Sequence, residues 1–216
     1  MTEIEAIQKR HSVRNYQDKK IEAEKVAQLN ELIARCNKEG NLNLQLIEDA
    51  GSTFNRLLNR FMGLGSAPSV IACVGPDDVS LDERIGYYGQ KIVLFAQMLG
   101  LNTCWAGTFN EKNVKAVRTS GDRLPIVIAI GYGVDGGRVR KSKTAADVVA
   151  GAMDGKPEWF RKGVEAALLA PTAVNQQKFE ISLKDDGCAE IIDKGGILSK
   201  IDLGIVKYNF EVGSKQ

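Results

Sequence analysis

The sequence predicts an α+β fold, in which helices surround a central sheet that is mainly antiparallel or mixed. Continuous apolar runs that end at glycine predict buried strands at Ser69–Gly75 and Pro125–Gly131. Apolar side chains at helical spacing predict helices at Ile21–Asn37 and Asp82–Gly100. Elements of both kinds packed around a hydrophobic core give this fold class.

Shorter elements follow from local patterns. Residues 3–10 are expected to form a short helix, and Leu42, Leu44 and Leu46 alternate with other residues as in a half-buried strand. Leu101–Trp105 leads into Ala106 and Gly107 without a predicted element of its own. The remaining predictions, in chain order, are an exposed Gly-rich basic loop at Gly133–Thr144, a helix at Glu158–Ala170 that Pro171 stops, a strand at Phe179–Leu183 and a last helix at about Lys200–Gly213.

We expect the chain to be organised as residues 1–150 and 151–216, packed as one compact unit. Its 216 residues are enough for one sizeable core. The helix, polar break and strand of the first part recur in the last third, and DERIGYYG and SKIDLGIV share an acidic residue, an apolar residue and a glycine in that order. An internal duplication and ordinary recurrence of helices and strands both explain this similarity, so both interpretations stay open.

The composition excludes several classes of protein. The 29 basic and 27 acidic residues leave a net charge of +2, so no broad electrostatic surface for nucleic acid or anionic membrane is expected. The first residues lack the apolar core of a signal peptide, and the longest apolar runs are shorter than the roughly 20 residues of a membrane span. We therefore expect a soluble cytoplasmic protein whose anion sites are local.

Cysteine and histidine usage argues against a metal site. The four cysteines are scattered without CxxC spacing, and the chain has a single histidine. Reduced structural thiols fit this pattern and the reducing cytosol better than a Cys/His cluster.

The residues best suited to bind a ligand lie directly after the first helix. Arg10, His11, Ser12 and Arg14 offer two guanidinium groups, an imidazole and a hydroxyl within five residues. Such charge-assisted donors suit phosphate oxygens, although a solvated basic turn has the same composition.

The segment RHSVRNY at residues 10–16 resembles the R-x-S-x-R-x-[FY] motif of the FMN-dependent nitroreductase family. The resemblance implies that Arg10 and Ser12 hold the FMN phosphate, and that His11 reaches the phosphate or the ribityl chain. It also implies that Arg14 lies near the N1/O2 side of the flavin ring. A positive charge there stabilises the anionic reduced flavin and eases hydride acceptance.

A second segment, APTAVNQQKF at residues 170–179, resembles the family's A-P-S-x-x-N-x-Q-P-W loop. Small hydroxyl and amide groups of such a loop offer neutral hydrogen bonds to the ribityl chain and the ring carbonyls. The resemblance assigns these contacts to Pro171, Thr172, Asn175 and Gln177. Lys178 and Phe179 replace the usual Pro-Trp, which leaves the pocket's shape open, and a helix stop followed by a polar turn is the alternative.

Two further segments resemble the family in the same order along the chain. GLNTCWAG at residues 100–107 is similar to G-L-G-T-x-W-x-G, which implies that Ala106 and Gly107 place backbone N–H groups near flavin N5. Gly107 has no Cβ, so the main chain can approach the ring closely. AIGYG and the following RVRK resemble a strand and a basic loop that returns to the phosphate. For that role we select Arg140 and Lys141, with Arg138 as a substitute, against the alternative of a solvated loop.

The order of the motifs departs from the ordinary family. There the A-P-S loop comes early and reaches the flavin of the other subunit in a homodimer, whereas here Cys36–Leu42 lacks the motif and the good copy lies near the C-terminus. The chain therefore resembles the nitroreductase subfamily, of the TM nitroreductase type, in which one polypeptide carries two related halves. This implies a nitroreductase-like fold, one flavin site composed from both parts, and either a monomer that imitates the family dimer or a homodimer.

The function implied by the resemblance is that of an FMN-dependent oxidoreductase. NADH or NADPH would give a hydride to flavin N5, and an oxidised small molecule such as a nitroaromatic or a quinone would then accept it. No catalytic side chain is required, and the sequence contains no Ser/His/Asp arrangement, P-loop or strand-following GxGxxG. Reductive dehalogenation, ene reduction, breakdown of the flavin, and flavin storage without efficient turnover are the open alternatives.

Overall fold

A computed structural model describes residues 1–54 and 67–216. Its contacts divide the chain into two compact units. The helical unit consists of Met1–Lys9, Asp82–Lys91 and Arg140–Gln216, and the sheet unit consists of Arg10–Leu81 and Ile92–Val139. The expected boundary at residue 150 stays a prediction, and each unit is described by itself below.

Helices and antiparallel sheets together confirm the predicted α+β class. The helices are α1 (Glu3–Lys9), α2 (Ala23–Gly40), α3 (Leu81–Met98), α4 (Ala145–Val148), α5 (Glu158–Leu168) and α6 (Ser199–Ser214). The strands are β1 (Asn43–Glu48), β2 (Ser69–Pro76), β3 (Asn102–Ala106), β4 (Asp122–Gly131), β5 (Phe179–Leu183) and β6 (Ala189–Asp193). Within the described residues, no helix is both long and apolar enough to cross a bilayer.

The sheet unit is built on four antiparallel strands in the order β1-β2-β4-β3. The inner strands β2 and β4 are buried over most of their length, which is why their sequences are continuous apolar runs. Helix α2 turns Leu29, Leu32 and Ile33 inward. It continues beyond the predicted end at Asn37 to Gly40, because the residue that stops it is Asn41 in the left-handed conformation, at φ 47°.

The helical unit is held together by helices α5 and α6. The rings of Phe160 and Phe210 meet edge to face, and a Cβ on Gly163 would lie 2.7 Å from the Phe210 ring, so only glycine permits this approach. Strands β5 and β6 form a separate antiparallel pair. The sequence did not predict β6, because AEIID is short and charged residues interrupt its apolar pattern.

Helices α3 and α6 cross within the helical unit at two glycines. A Cβ on Gly86 would lie 2.0 Å from the carbonyl oxygen of Ile201, and a Cβ on Gly204 would lie 2.0 Å from that of Glu83. Each glycine therefore faces the carbonyl three residues before the other. Such reciprocal contacts are what a two-fold relation produces. The internal duplication itself stays a prediction.

Candidate functional site

The segment Arg10–Arg14, here called the cationic turn, is fixed to the outer side of β3 by its main chain. Ser12 forms a parallel bridge with Thr103, and the Val13 N–H donates to the Thr103 carbonyl at 3.1 Å. Strand β3 is at the edge of the sheet, so its outer hydrogen-bonding groups are available for this pairing. The side chains of the turn are thus carried by an extension of the sheet.

Three of the predicted side chains of the cationic turn come together beside Cys104. Arg10 is only 2% exposed, whereas Arg14 is exposed and donates to the Ser12 carbonyl at 3.4 Å. Burial raises the pKa of the Cys104 thiol. This pKa is lowered in turn by the charges of Arg14 and Arg10 and by a hydrogen bond with Ser12. The two guanidinium groups and the Ser12 side chain therefore all act on the Cys104 thiol, and charge-assisted donors of this kind suit phosphate oxygens.

The loop after β4 lies against the cationic turn. A Cβ on Gly137 would lie 2.9 Å from the His11 Cβ and 3.0 Å from the Ser12 carbonyl oxygen, and Gly137 has a φ of 78°. Both the close approach and the positive φ require glycine at this position. Arg138 follows Gly137 directly. The residue that the sequence analysis offered only as a substitute is therefore next in the chain to the glycine that contacts the cationic turn.

Ala106 and Gly107 lie farther along the same edge. Ala106 is the last residue of β3 and is paired with Val127, and the exposed Gly107 follows it. At about 3.3 Å per residue, Gly107 is roughly 13 Å along the strand from Thr103. An elongated ligand with a phosphate at the turn would therefore place its other end toward Gly107.

The segment Pro171–Gln177, here called the polar loop, belongs to the helical unit and has an unusual backbone. Val174, Asn175 and Gln177 adopt positive φ angles of 44°, 56° and 46°. A β-branched residue such as Val174 rarely adopts this conformation, which costs free energy and persists only where the surroundings enforce it. The Gln177 N–H donates to the Thr172 hydroxyl at 3.0 Å and closes the loop.

Residues 140–143 are attached to the polar loop. The Lys141 carbonyl accepts from Asn175 Nδ2 at 2.8 Å and from Gln177 Nε2 at 3.1 Å, and Gln177 Oε1 accepts from the Lys143 N–H at 2.8 Å. Burial lowers the pKa of the Arg140 guanidinium. The structure thus brings Lys141 together with Asn175 and Gln177, two of the predicted residues of the loop. Gln177 is buried, and both the oxygen and the nitrogen of its side-chain amide are hydrogen-bonded to residues 141–143.

Sequence reasoning missed two residues that hold the polar loop. Lys143 Nζ donates to the Gln177 carbonyl at 2.8 Å. Asp202 of α6 accepts the Ala173 N–H at 2.9 Å, and its burial raises its pKa to about 6. The clue in the sequence was an acidic residue inside the apolar run ILSKIDLGIV, since a carboxylate is seldom buried unless it is hydrogen-bonded.

Other features of the described residues carry less chemistry. A cavity of about 570 Å³ opens in the sheet unit beside Tyr16, Glu48 and Pro68, and no predicted site residue lines it. Within residues 1–54 and 67–216, no group of three or more acidic, His or Cys side chains is suited to hold a metal. All four cysteines are free thiols, and only Cys188 is exposed.

Comparison with known proteins identifies the fold. The profile described as "Putative TM nitroreductase" matches residues 3–214. A putative nitroreductase from Thermotoga maritima MSB8 is similar at a TM-score of 0.73 and 24% identity, covering 99% of this chain and 83% of that chain. The nitroreductase-like fold predicted from the sequence is thereby confirmed.

Two further solved structures contain FMN. One is a putative nitroreductase from Desulfovibrio desulfuricans, with a TM-score of 0.54 and 17% identity, covering 71% of this chain and 98% of that chain. The other is a putative nitroreductase from Exiguobacterium sibiricum 255-15, with a TM-score of 0.54 and 15% identity, covering 68% of this chain and 95% of that chain. No curated protein sequence is significantly similar to the chain.

Proposed function

Because the chain belongs to the Putative TM nitroreductase family, we propose that it is an FMN-dependent oxidoreductase. In this proposal it takes a hydride from NADH or NADPH and passes it to an oxidised small molecule such as a nitroaromatic or a quinone. The observation that carries the proposal is the cationic turn at the sheet edge, where the guanidinium groups of Arg10 and Arg14 and the side chain of Ser12 all act on the Cys104 thiol.

The donor set of the sheet unit fits the phosphate end of FMN. Arg10, Ser12 and His11 would bind the phosphate oxygens, because charge-assisted donors are the strongest partners of a phosphate. Arg14 would lie at the pyrimidine edge of the ring, and Arg138 would add a cation beside the phosphate. Two separate phosphates would need more donors, and the turn has no dinucleotide fingerprint, so FMN fits better than FAD.

Neutral groups would bind the remainder of the cofactor. We propose that Ala106 and Gly107 supply main-chain N–H groups to the ring. The polar loop would supply the hydroxyl and amide contacts of Thr172 and Asn175 to the ribityl chain, with Pro171 and Gln177 shaping the loop. Arg140 and Lys141 would act with that loop, since the Lys141 carbonyl is hydrogen-bonded to it. That both groups of residues serve one flavin is part of the proposal.

FMN would supply the hydride chemistry at its N5 atom. The chain's own residues would bind the cofactor, and they would set the charge around it. The Arg14 guanidinium would stabilise negative charge at the pyrimidine edge, which favours the reduced cofactor. Gly107, with no Cβ, would let the main chain come close to the ring.

The test is reconstitution of the full-length protein. The purified protein is saturated with FMN or FAD, desalted, and examined by visible absorbance and by mass spectrometry of the released cofactor. The FMN-loaded protein is then titrated anaerobically with NADH and with NADPH, and a nitroaromatic or a quinone is added. We expect retention of FMN, bleaching near 450 nm, as is usual for flavins on reduction, and reoxidation by the acceptor.

Each other outcome has a definite meaning. Retention of FAD alone, or of no flavin, would overturn the proposal. Retention of FMN that NADH and NADPH bleach only slowly would favour flavin storage over an oxidoreductase. Rapid bleaching without reoxidation by these acceptors would favour another flavin reaction, such as ene reduction or dehalogenation.

A further inference from the structure

We propose that Asp202 is a positioning residue of the flavin site. From helix α6 it fixes the polar loop in the shape that presents Thr172 and Asn175 to the cofactor. The inference rests on the proposed function, since it concerns how the loop binds FMN. Asp202 lies outside the segments that resemble the family's flavin-binding motifs, and in the sequence it is marked only as the acidic residue of SKIDLGIV.

The carboxylate of Asp202 binds both the main chain and a side chain of the loop. The Ala173 N–H donates to Oδ1 at 2.9 Å and to Oδ2 at 3.1 Å. Gln176 Nε2 donates to Oδ2 at 2.7 Å and to the Ile197 carbonyl at 2.8 Å. Asp202 is therefore attached to the loop on both sides of Val174 and Asn175.

These attachments enclose the strained part of the loop. Val174 and Asn175 both have positive φ angles, and the Val174 side chain is 77% exposed, so its own packing contributes little to holding that conformation. Hydrogen bonds must supply the constraint. Asn175 itself donates to the Lys141 carbonyl, and the flanking residues Ala173 and Gln176 both donate to the carboxylate of Asp202, which makes Asp202 a main support of the turn.

The burial of Asp202 shows that the carboxylate is kept there at a cost. It is 8% exposed, and its nearest neighbours in α6 are apolar. Burial raises its pKa, and the carboxylate of Asp193 raises it further, whereas the Gln176 and Ala173 donors lower it. The two donors from the loop offset the cost of burying this carboxylate, so the burial of Asp202 is coupled to the position of the loop.

The experiment compares four variants of the full-length protein. Asp202→Ala removes the acceptor, and Asp202→Asn keeps one carbonyl oxygen for the Ala173 N–H. Gln176→Ala removes the second attachment. Asn209→Ala is the matched control, because Asn209 is also buried on α6 and hydrogen-bonded, but its partners are Gln90 and the Ala166 carbonyl rather than the loop.

Two properties are measured for each variant. The first is amide hydrogen exchange of the peptide around residues 171–178 without FMN, which reports the loop whether or not flavin binds. The second is the dissociation constant of FMN. We expect Asp202→Ala to accelerate exchange about tenfold or more and to weaken FMN binding about fivefold, because it removes at least two hydrogen bonds from the loop. Asp202→Asn should restore part of both properties, because it keeps an acceptor for the Ala173 N–H but places an amide donor opposite Gln176 Nε2.

The control separates a positioning role from a structural one. Asn209→Ala should lower the melting temperature while leaving loop exchange and FMN affinity within about twofold of wild type, because its partners lie outside the loop. Gln176→Ala should change the loop less than Asp202→Ala, and its effect should shrink when the two changes are combined, since the pair shares one hydrogen bond. Unchanged loop exchange in Asp202→Ala, or equal changes in Asn209→Ala, would overturn the inference. A wild-type protein that does not bind FMN would instead remove the proposed function.

Discussion

The cationic turn and the polar loop reach fixed shapes by different means. The cationic turn is an extension of the sheet, and its main chain pairs with Thr103 on β3. The polar loop contains left-handed residues, and its shape depends on side chains, above all those of Gln177 and Asp202.

This difference determines what a substitution in each region measures. Removing a side chain from the cationic turn leaves the main-chain pairing in place, so the change reports on ligand contacts. Removing a side chain from the polar loop alters the loop's shape as well as its contacts. The donors that the two regions offer to a ligand also differ. Those of the cationic turn are charged and those of the polar loop are neutral, so the expected losses of affinity differ in size.

The largest effect should come from a change in α6, the helix that carries Asp202 and so supports the polar loop. In Gly204→Ala the new Cβ would lie 2.0 Å from the Glu83 carbonyl oxygen, a main-chain atom that cannot rotate away. We expect a loss of about 3 kcal/mol or more in the free energy of unfolding, measured by chemical denaturation. Gly136→Ala is the control, since a Cβ at that position would meet no atom within 4 Å and its φ is not positive. Equal stability of the two variants would contradict the close approach of α3 and α6 at Gly204.

The next effect tests the cationic turn. Arg10→Ala should weaken FMN binding at least tenfold, because loss of a charge-assisted hydrogen bond costs roughly 1.5–3 kcal/mol. Titration of apoprotein with FMN measures it. Arg35→Ala, which removes an exposed arginine paired with Glu31, should leave the affinity unchanged. If Arg10→Ala is less stable but its folded fraction binds FMN with wild-type affinity, Arg10 has a structural role and the phosphate assignment is wrong.

A pH effect sharpens the contrast, since comparison with Asp202→Asn isolates the contribution of the polar loop's support. Burial raises the pKa of Asp202 to about 6 in the folded protein, above about 3.9 when unfolded. The protonated form is therefore favoured by folding, and its contribution is complete below pH 4 and lost as the pH rises through 6. Relative to Asp202→Asn, the wild type should lose about 2 kcal/mol of stability between pH 4 and pH 7.5. Parallel stability curves for the two proteins would refute this.

The smallest effect tests whether the polar loop contributes to FMN affinity. Asn175→Ala should weaken FMN binding only about two- to tenfold, because a neutral hydrogen bond contributes roughly 0.5–1.5 kcal/mol. Lys178→Ala, an exposed neighbour on the same segment, serves as the control. No change in affinity for Asn175→Ala would separate the polar loop from the flavin and leave the cationic turn as the site.

The fold could be predicted from the sequence where burial dominates the pattern. Strands β2 and β4 are recognisable because both faces are covered over most of their length, which favours continuous apolar runs. Strand β5 has the predicted bounds. Strand β6 was missed because its side chains are only partly buried and its charges face solvent, so hydrophobicity marks it weakly.

The candidate site divides in the same way. The residues of the cationic turn were predicted because their side chains carry the chemistry and sit next to each other in the sequence. The role of Asp202 could not be predicted, because a hydrogen bond to Ala173 across 29 residues depends on how α6 packs. The position of Arg138 likewise could not be predicted, because it follows from the close approach of Gly137 to His11 and Ser12.

The crossing of α3 and α6 also has a consequence for synthesis of the protein. The buried bond between Gln90 and Asn209, which accompanies the two glycines, joins residues 119 positions apart. At roughly 5–20 residues per second, the ribosome makes the second partner about 6–24 seconds after the first. During that interval the face of α3 that α6 covers in the folded protein has no partner. A crossing that admits no side chain can therefore form only after α6 has been synthesised.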